Sequence, residues 1–211
     1  MKFNDYLKEK FGINEPIYIE DVSFGNYSRT WIFTELKRLV EVGELKRFDR
    51  GIYYFPKESS WREGYALLNS DKVVERRFIT DGNEIYGYVA GLSLWNKSGL
   101  STQVPNLLEI STNNESTRVR DVNIGNQRVR ARRSRTTITK ENVRTLQLLD
   151  LMNVMQSAEE MDEVERFMLS KFVKKAKDAG VTKESVTEYS KFFPAAAIKN
   201  MFESGVIYEL A

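Results

Sequence analysis

Residues 28–56 read SRTWIFTELKRLVEVGELKRFDRGIYYFP, and the fold turns on how this stretch is read. Ser28 is a good helix N-cap, and Gly43 suits the position just past a helix C-terminus. Between them, a rotation of about 100° per residue puts Ile32, Phe33, Leu36, Leu39 and Val40 inward. It leaves Thr30, Trp31, Thr34, Lys37 and Arg38 outward. Leu45-Lys46-Arg47-Phe48 and Ile52-Tyr53-Tyr54-Phe55 then read as two short strands. Asp49-Arg50-Gly51 turns between them, with Gly51 supplying a permissive backbone, and Pro56 ends the unit.

Upstream, Phe3, Leu7 and Phe11 recur every fourth residue, an amphipathic helix closed off by Pro16. Ile17 and Ile19 mark a short extended piece. Helix, extended piece, helix and two-stranded ribbon follow one another in the order of a winged helix-turn-helix, which predicts a first domain over residues 1–58. An α-helix fits the major groove of B-DNA, and a neighbouring hairpin can lie along the backbone. On that reading Ser28, Arg29, Thr30, Thr34, Lys37 and Arg38 are the candidate reading residues. Lys46, Arg47 and Arg50 are the wing's candidate phosphate contacts. The plainer alternative is a small α/β unit with a solvated face. Residues 1–58 favour it by carrying ten basic and ten acidic groups, whereas residues 29–50 carry six basic against four acidic.

A second domain is predicted over residues 59–211. Ser60-Trp61-Arg62-Glu63 has capping-box spacing, with two short helical segments filling 61–77. Phe78-Ile79-Thr80 and Glu84-Ile85-Tyr86 are placed to pair across Asp81-Gly82-Asn83. Residues 87–98 read as helix despite two glycines. Strands follow at Leu107–Thr112, Arg118–Ile124 and Arg128–Arg133, the last two joined at Gly125-Asn126. A small sheet over about 78–135 therefore precedes a helical region, 139–211, broken near Ser157, Gly180 and Pro194. Ser157-Ala158-Glu159-Glu160 has the spacing of another capping box. The expected class is α+β: a winged helix-turn-helix followed by a mixed α/β domain with a helical tail.

The charges total 32 Lys+Arg against 30 Asp+Glu, yet residues 117–144 alone hold nine basic and two acidic groups, net +7. Arg118, Arg120, Arg128, Arg130, Arg132, Arg133 and Arg135 fall on two strands and the loop after them. Alternation puts Arg128, Arg130 and Arg132 on one sheet face, and a hairpin at Gly125-Asn126 is expected to bring Arg118 and Arg120 onto that face too. Like charges that close repel unless an anion or acidic partner screens them. Arginine rather than lysine suits bidentate phosphate contacts. The surface is thus expected to meet nucleic acid or an acidic protein, or else to be salt-bridged to an acidic helix at Glu159–Glu165.

The chain has no cysteine and no histidine. That excludes disulfides, thiolate or imidazole metal sites and any catalytic triad using imidazole. No Walker A motif and no Gly-x-Ser-x-Gly elbow occurs. No apolar run approaches the roughly 18 residues of a membrane span, and no signal-peptide core follows Met1. A cytoplasmic, non-enzymatic binding protein without cofactor, metal or membrane contact is expected.

Two stretches carry a family resemblance. One is Arg50-Gly51-Ile52-Tyr53-Tyr54-Phe55-Pro56. The other runs from Gly91-Leu92-Ser93-Leu94-Trp95 through GLSTQVP at 99–105 to EISTN at 109–113. The succession resembles the AbiEi-type antitoxins of bacterial abortive-infection toxin–antitoxin operons over approximately residues 20–150. The resemblance implies a type IV antitoxin whose winged helix represses its own operon at inverted repeats in double-stranded DNA. Its C-terminal domain would counter a nucleotidyltransferase-like toxin without a stable complex. By position, the reader becomes Ser28–Val42 plus the wing around Arg50, and the antitoxin region runs from about residue 61 to the end. A homodimer would match an inverted repeat. Two other classes stay open: a stand-alone winged-helix regulator, with a deep apolar pocket if it senses a ligand, and a metal-dependent nuclease drawing on Asp121 and Glu141.

Overall fold

In the computed structural model, residues 1–59, 64–155 and 157–210 are described. The class is α+β, and the chain divides into two compact units, Met1–Val73 and Val74–Ala211. The capping box proposed at Ser60–Glu63 lies outside the described residues.

The first unit begins with α1 (Phe3–Phe11), β1 (Ile17–Tyr18) and a 3-10 turn at Ile19–Asp21. It continues with α2 (Arg29–Glu41), β2 (Lys46–Asp49) and β3 (Ile52–Tyr54). Ser28 caps α2, its hydroxyl accepting from the Trp31 N–H at 3.2 Å, and Gly43 follows the helix at φ +79°. β1, which the sequence showed only as an extended piece, joins the ribbon as a third strand, giving the antiparallel order β1-β3-β2. Ile32, Leu36 and Leu39 face Leu7, Ile17, Tyr53 and Phe55 in one core.

Two assignments on α2 are reversed. Trp31, expected outward, is half-buried and packs against Phe3, Phe24 and Tyr27, with centroids 5.2, 6.0 and 4.0 Å away. Phe33, expected inward, is 52% exposed. Both lie at the borders of the apolar arc, and the aromatic cluster of α1 and the loop before α2 draws in only the Trp31 border.

In the second unit α3 (Ser70–Phe78), which starts in the first, leads to β4 (Gly87–Val89), α4 (Gly91–Lys97) and β5 (Leu108–Thr112). β6 (Val119–Ile124) and β7 (Gln127–Arg133) follow, then α5 (Val143–Val154), α6 (Glu163–Asp178), α7 (Lys183–Ser190), α8 (Ala195–Glu203) and α9 (Val206–Glu209). Residues 87–89 are thus strand rather than helix. Gly87 pairs with Thr112 and lies so close to the Phe78 carbonyl that a Cβ has no room. The sheet order is β4-β5-β7-β6, with β5 and β7 parallel and the other pairs antiparallel. The predicted hairpin at Gly125-Asn126 is present, with Ile124 opposite Gln127.

α5 is buried nearly all round and forms the axis of this unit. α6 starts later than the sequence spacing suggested. Its capping box is Asp162 with Glu165, while Ser157 only closes a turn by accepting from the Glu159 N–H at 3.2 Å. Glu159 and Glu160 therefore lie outside the helix.

The end of α5 depends on Asn200 of α8, 3% exposed, whose amide donates to the carbonyls of Met152 and Met155 at 2.8 and 2.7 Å. Removing that donor leaves two buried acceptors unpaired, at about 1–3 kcal/mol each. Asn200→Ala is therefore expected to lower unfolding stability by at least ~2 kcal/mol in a urea titration. A loss below ~0.5 kcal/mol would show that α5 ends without this support.

Candidate nucleic-acid interface and arginine cluster

On α2 the outward face consists of Thr30, Phe33, Thr34, Lys37 and Arg38, all exposed. Lys37 lies 3.7 Å from Glu41, and Arg38 Nε donates to Glu35 at 2.9 Å. The exposed Lys37–Glu41 pair is weak and exchanges easily for other anions. The Thr34 hydroxyl donates to the Thr30 carbonyl at 2.9 Å. The Ser28 hydroxyl is already engaged in the cap.

Arg29 belongs elsewhere. Its guanidinium donates to the carbonyls of Ile19 (2.6 Å) and Glu20 (3.2 Å) and ties α2 to the 3-10 turn. In the ribbon, the Lys46 ammonium sits over the Tyr65 ring at 4.5 Å, and Arg47 Nε donates to the Asp49 carbonyl at 3.2 Å. The Asp49 carboxylate accepts from the Arg50 backbone N–H at 2.7 Å, while the Arg50 side chain is exposed at the turn.

The arginines of the second unit fall on both faces of the sheet. In the β6–β7 register Arg132 stands opposite Val119, Arg130 opposite Asp121 and Arg128 opposite Asn123, while Arg120 stands opposite Ala131. Each even-numbered residue of β7 thus shares a face with an odd-numbered residue of β6. Arg120 accordingly does not join the row of Arg128, Arg130 and Arg132, whereas Arg118, just before β6, borders the same cavity as Arg130 and Arg132. The two-residue turn fixes this, since it pairs 124 with 127 and so offsets the parity of the strands.

The carboxylates that screen the arginines also differ from expectation. Arg130 makes a two-pronged contact with Asp121, at 2.8 and 2.9 Å, which holds the Asp121 carboxyl below the usual carboxylate range. Arg132 pairs with Glu109 of β5. Arg120 pairs with Glu115, at 2.8 Å from Nη2. Burial raises the Glu115 carboxyl, but bonds from Thr117 and Arg120 outweigh it, and the carboxyl titrates low. None of these acids comes from 159–165. Among the described residues Arg118, Arg128 and Arg133 have no ion pair, and Arg135 lies over the Phe193 ring at 5.2 Å.

Behind this row lies a knot of buried groups that the sequence reading did not single out. Gly91, at φ +58°, opens α4; its N–H points to Asp150 Oδ2 at 3.4 Å, and the Leu92 N–H donates to Glu109 Oε1 at 3.3 Å. A Cβ on Gly91 would stand 2.8 Å from the Glu109 carboxylate. Ser93 accepts from the Glu109 N–H at 2.9 Å and donates to the Leu107 carbonyl at 3.1 Å. Asn113 brackets Ile138, accepting from its N–H at 2.9 Å and donating to its carbonyl at 2.8 Å, and so fixes the loop that carries Arg135. Asp150 did leave a signal: it is the lone acid in the apolar run Leu148-Leu149-Asp150-Leu151-Met152.

A cavity of about 520 Å³ opens in front of this knot. Arg118, Arg130, Arg132, Arg133 and Arg135 line it, together with Tyr88, Ser111, Ser134 and Asp150. Burial pushes the Asp150 carboxyl up, and the nearby Arg132 and Arg135 only partly reverse this. Burial likewise pushes up the Tyr88 hydroxyl, which shares a hydrogen bond with Ser111. Among the described residues no three His, Cys, Asp or Glu side chains converge as a metal site, and Asp121, one of the two acids considered for a nuclease, is held by Arg130. Among the described residues no helix is long and apolar enough to cross a membrane.

A carboxyl whose folded pKa is raised loses stability as pH rises from its unfolded pKa through its folded one. Asp150→Asn removes that penalty. The variant is expected to melt above the wild type at pH 7, with the two curves converging as pH falls toward 4. A variant that melts lower at pH 7 would show that the Asp150 charge stabilises the arginine cluster.

A model described as a family of unknown function, DUF6088, matches residues 15–181. No curated protein matches the chain.

Proposed function

We propose that this chain, which belongs to the DUF6088 family, is a sequence-specific DNA-binding protein that uses its first unit as a winged helix. The observation that carries the reading is the uncovered face of α2. Its threonines, phenylalanine and two cations are exposed on a helix whose opposite side is locked into the core. A helix with one buried and one free polar face is the element that major-groove readers insert. Thr30 and Thr34 suit base edges, and the exposed Phe33 ring suits a thymine methyl group. Lys37 and Arg38 pair with carboxylates on their own helix, Glu41 and the half-buried Glu35, which phosphates can displace. Arg47 and the turn residue Arg50 extend the positive surface along the ribbon. Ser28 and Arg29 shape the helix start and are not part of the contact set.

The resemblance of approximately residues 20–150 to AbiEi-type antitoxins adds a biological setting. In that setting the protein is a cytoplasmic antitoxin that represses its own operon, binding inverted repeats as a homodimer. Its second unit would oppose a nucleotidyltransferase-like toxin without forming a lasting complex.

The test is fluorescence anisotropy with a labelled duplex from the region upstream of the protein's own gene. Lys37→Ala with Arg38→Ala is expected to weaken binding by roughly 1–3 kcal/mol and to flatten the dependence on salt. Equal affinity and salt slope for wild type and variant would remove α2 as the reader. The antitoxin setting has its own readout: growth rescue when the protein is co-expressed with a nucleotidyltransferase-like gene from the same operon. Failure of rescue with DNA binding intact would leave a stand-alone regulator.

A further inference from the structure

We infer that the arginine-lined cavity of the second unit is a binding site for a terminal phosphate or pyrophosphate group. This site is distinct from the duplex-reading face of α2, and its occupant is a compact polyanion rather than a DNA groove.

Shape is the first ground. Duplex DNA presents its phosphodiesters singly along a convex ridge, and proteins meet them with cations spread over an open surface. Here five arginines line one concavity of about 520 Å³, within the size range of small-molecule sites. A phosphomonoester or pyrophosphate concentrates two or more charges at one point and fits that arrangement.

Charge is the second ground. Asp121 engages Arg130 and Glu109 engages Arg132. Asp150 is the one carboxylate among the lining residues, and burial disfavours its charge. Arg118 and Arg133 have no carboxylate partner among the described residues. They sit side by side at one end of the hairpin, where the Arg133 N–H reaches the Arg118 carbonyl at 3.3 Å. Arg135 adds a third cation, backed by the Phe193 ring. A cluster of like charges with this surplus is completed by an anion.

Preorganisation is the third. Asp121 clamps Arg130, Glu109 holds Arg132, and Asn113 pins the loop of Arg135. Guanidinium forks already in place lose little freedom on binding an oxyanion bidentately. Ser111 and Ser134 add hydroxyl groups on the cavity wall. The same phosphate chemistry occurs on a free nucleotide and at the 5′ end of a nucleic-acid strand.

Isothermal titration of the full chain with pyrophosphate at low salt tests this site. Saturable binding at one site is expected, and Arg118→Gln with Arg133→Gln should weaken it at least tenfold. Arg133→Gln alone, at an exposed position, serves if the double variant melts early. Arg128→Gln, outside the cavity, should leave binding intact. Two further titrations separate the sources. ATP binding without discrimination between 5′-phosphorylated and 5′-hydroxyl single strands assigns a nucleotide, and preference for the 5′-phosphorylated strand assigns a nucleic-acid end. No saturable pyrophosphate binding, or binding indifferent to Arg133→Gln, overturns the inference. The Lys37→Ala, Arg38→Ala variant should bind pyrophosphate like the wild type, so this site and the duplex reader can fail independently.

Discussion

The second unit depends on one polar arrangement at the start of α4: Asp150 and Glu109 take up the Gly91 and Leu92 N–H groups, and Arg132 pairs with Glu109. Glu109 comes from β5, Asp150 from α5, Arg132 from β7, and Gly91 and Leu92 supply the N–H groups. Four elements far apart in sequence thus share one buried polar knot. Leaving any member alone is costly, because an unpaired charge or N–H away from water forfeits its solvation. That constraint explains the small residues around it. Gly91 is required at φ +58°, with no space for a Cβ beside the Glu109 carboxylate. Ser93 is short enough to bond the backbone at two points, the Leu107 carbonyl and the Glu109 N–H.

The first unit solves a different problem with the same chemistry. There an arginine is used as a strut. Arg29 donates to two backbone carbonyls of the 3-10 turn and sets the angle at which α2 leaves it. The aromatic stack of Trp31 on Tyr27 and Phe24 fixes the rotation of the helix about its axis. Rotation and angle together turn Phe33, Lys37 and Arg38 to solvent. The outward face of α2 is thus a consequence of what its other side has to bury.

Much of this was legible from sequence, and the exceptions have physical causes. The caps of α2, the β6–β7 hairpin and the breaks between the C-terminal helices follow from local rules that long-range packing did not override. Residues 87–89 misled because three residues are too few to show alternation, and glycines four apart suit a helix as well as a close strand contact. The reversal of Trp31 and Phe33 arose because helical periodicity gives the centre of an apolar face but not which border has aromatic neighbours. Arg120 lies on the other face because alternation fixes parity within a strand, whereas parity between strands is set by the turn. The cavity was invisible for a further reason: its members come from β4, β5, β6, β7, the loop after β7 and α5, and only the arginines cluster in sequence.

A net +7 over residues 117–144 overstates the positive surface, because Arg120 and Arg132 are paired with Glu115 and Glu109, which lie just outside that window. Within it, Arg130 is matched by Asp121. Charge along a chain is a sum over neighbours in sequence, while screening is a sum over neighbours in space. After spatial pairing, the arginines that remain are not spread evenly along the strip. Arg118, Arg133 and Arg135 gather at one mouth, above a carboxyl that burial pushes toward neutrality. A structural salt-bridge network would leave its surplus charge scattered in solvent, where repulsion is weakest. Concentrating it in a concavity costs stability in the free protein, and that cost is offset only when an anion arrives.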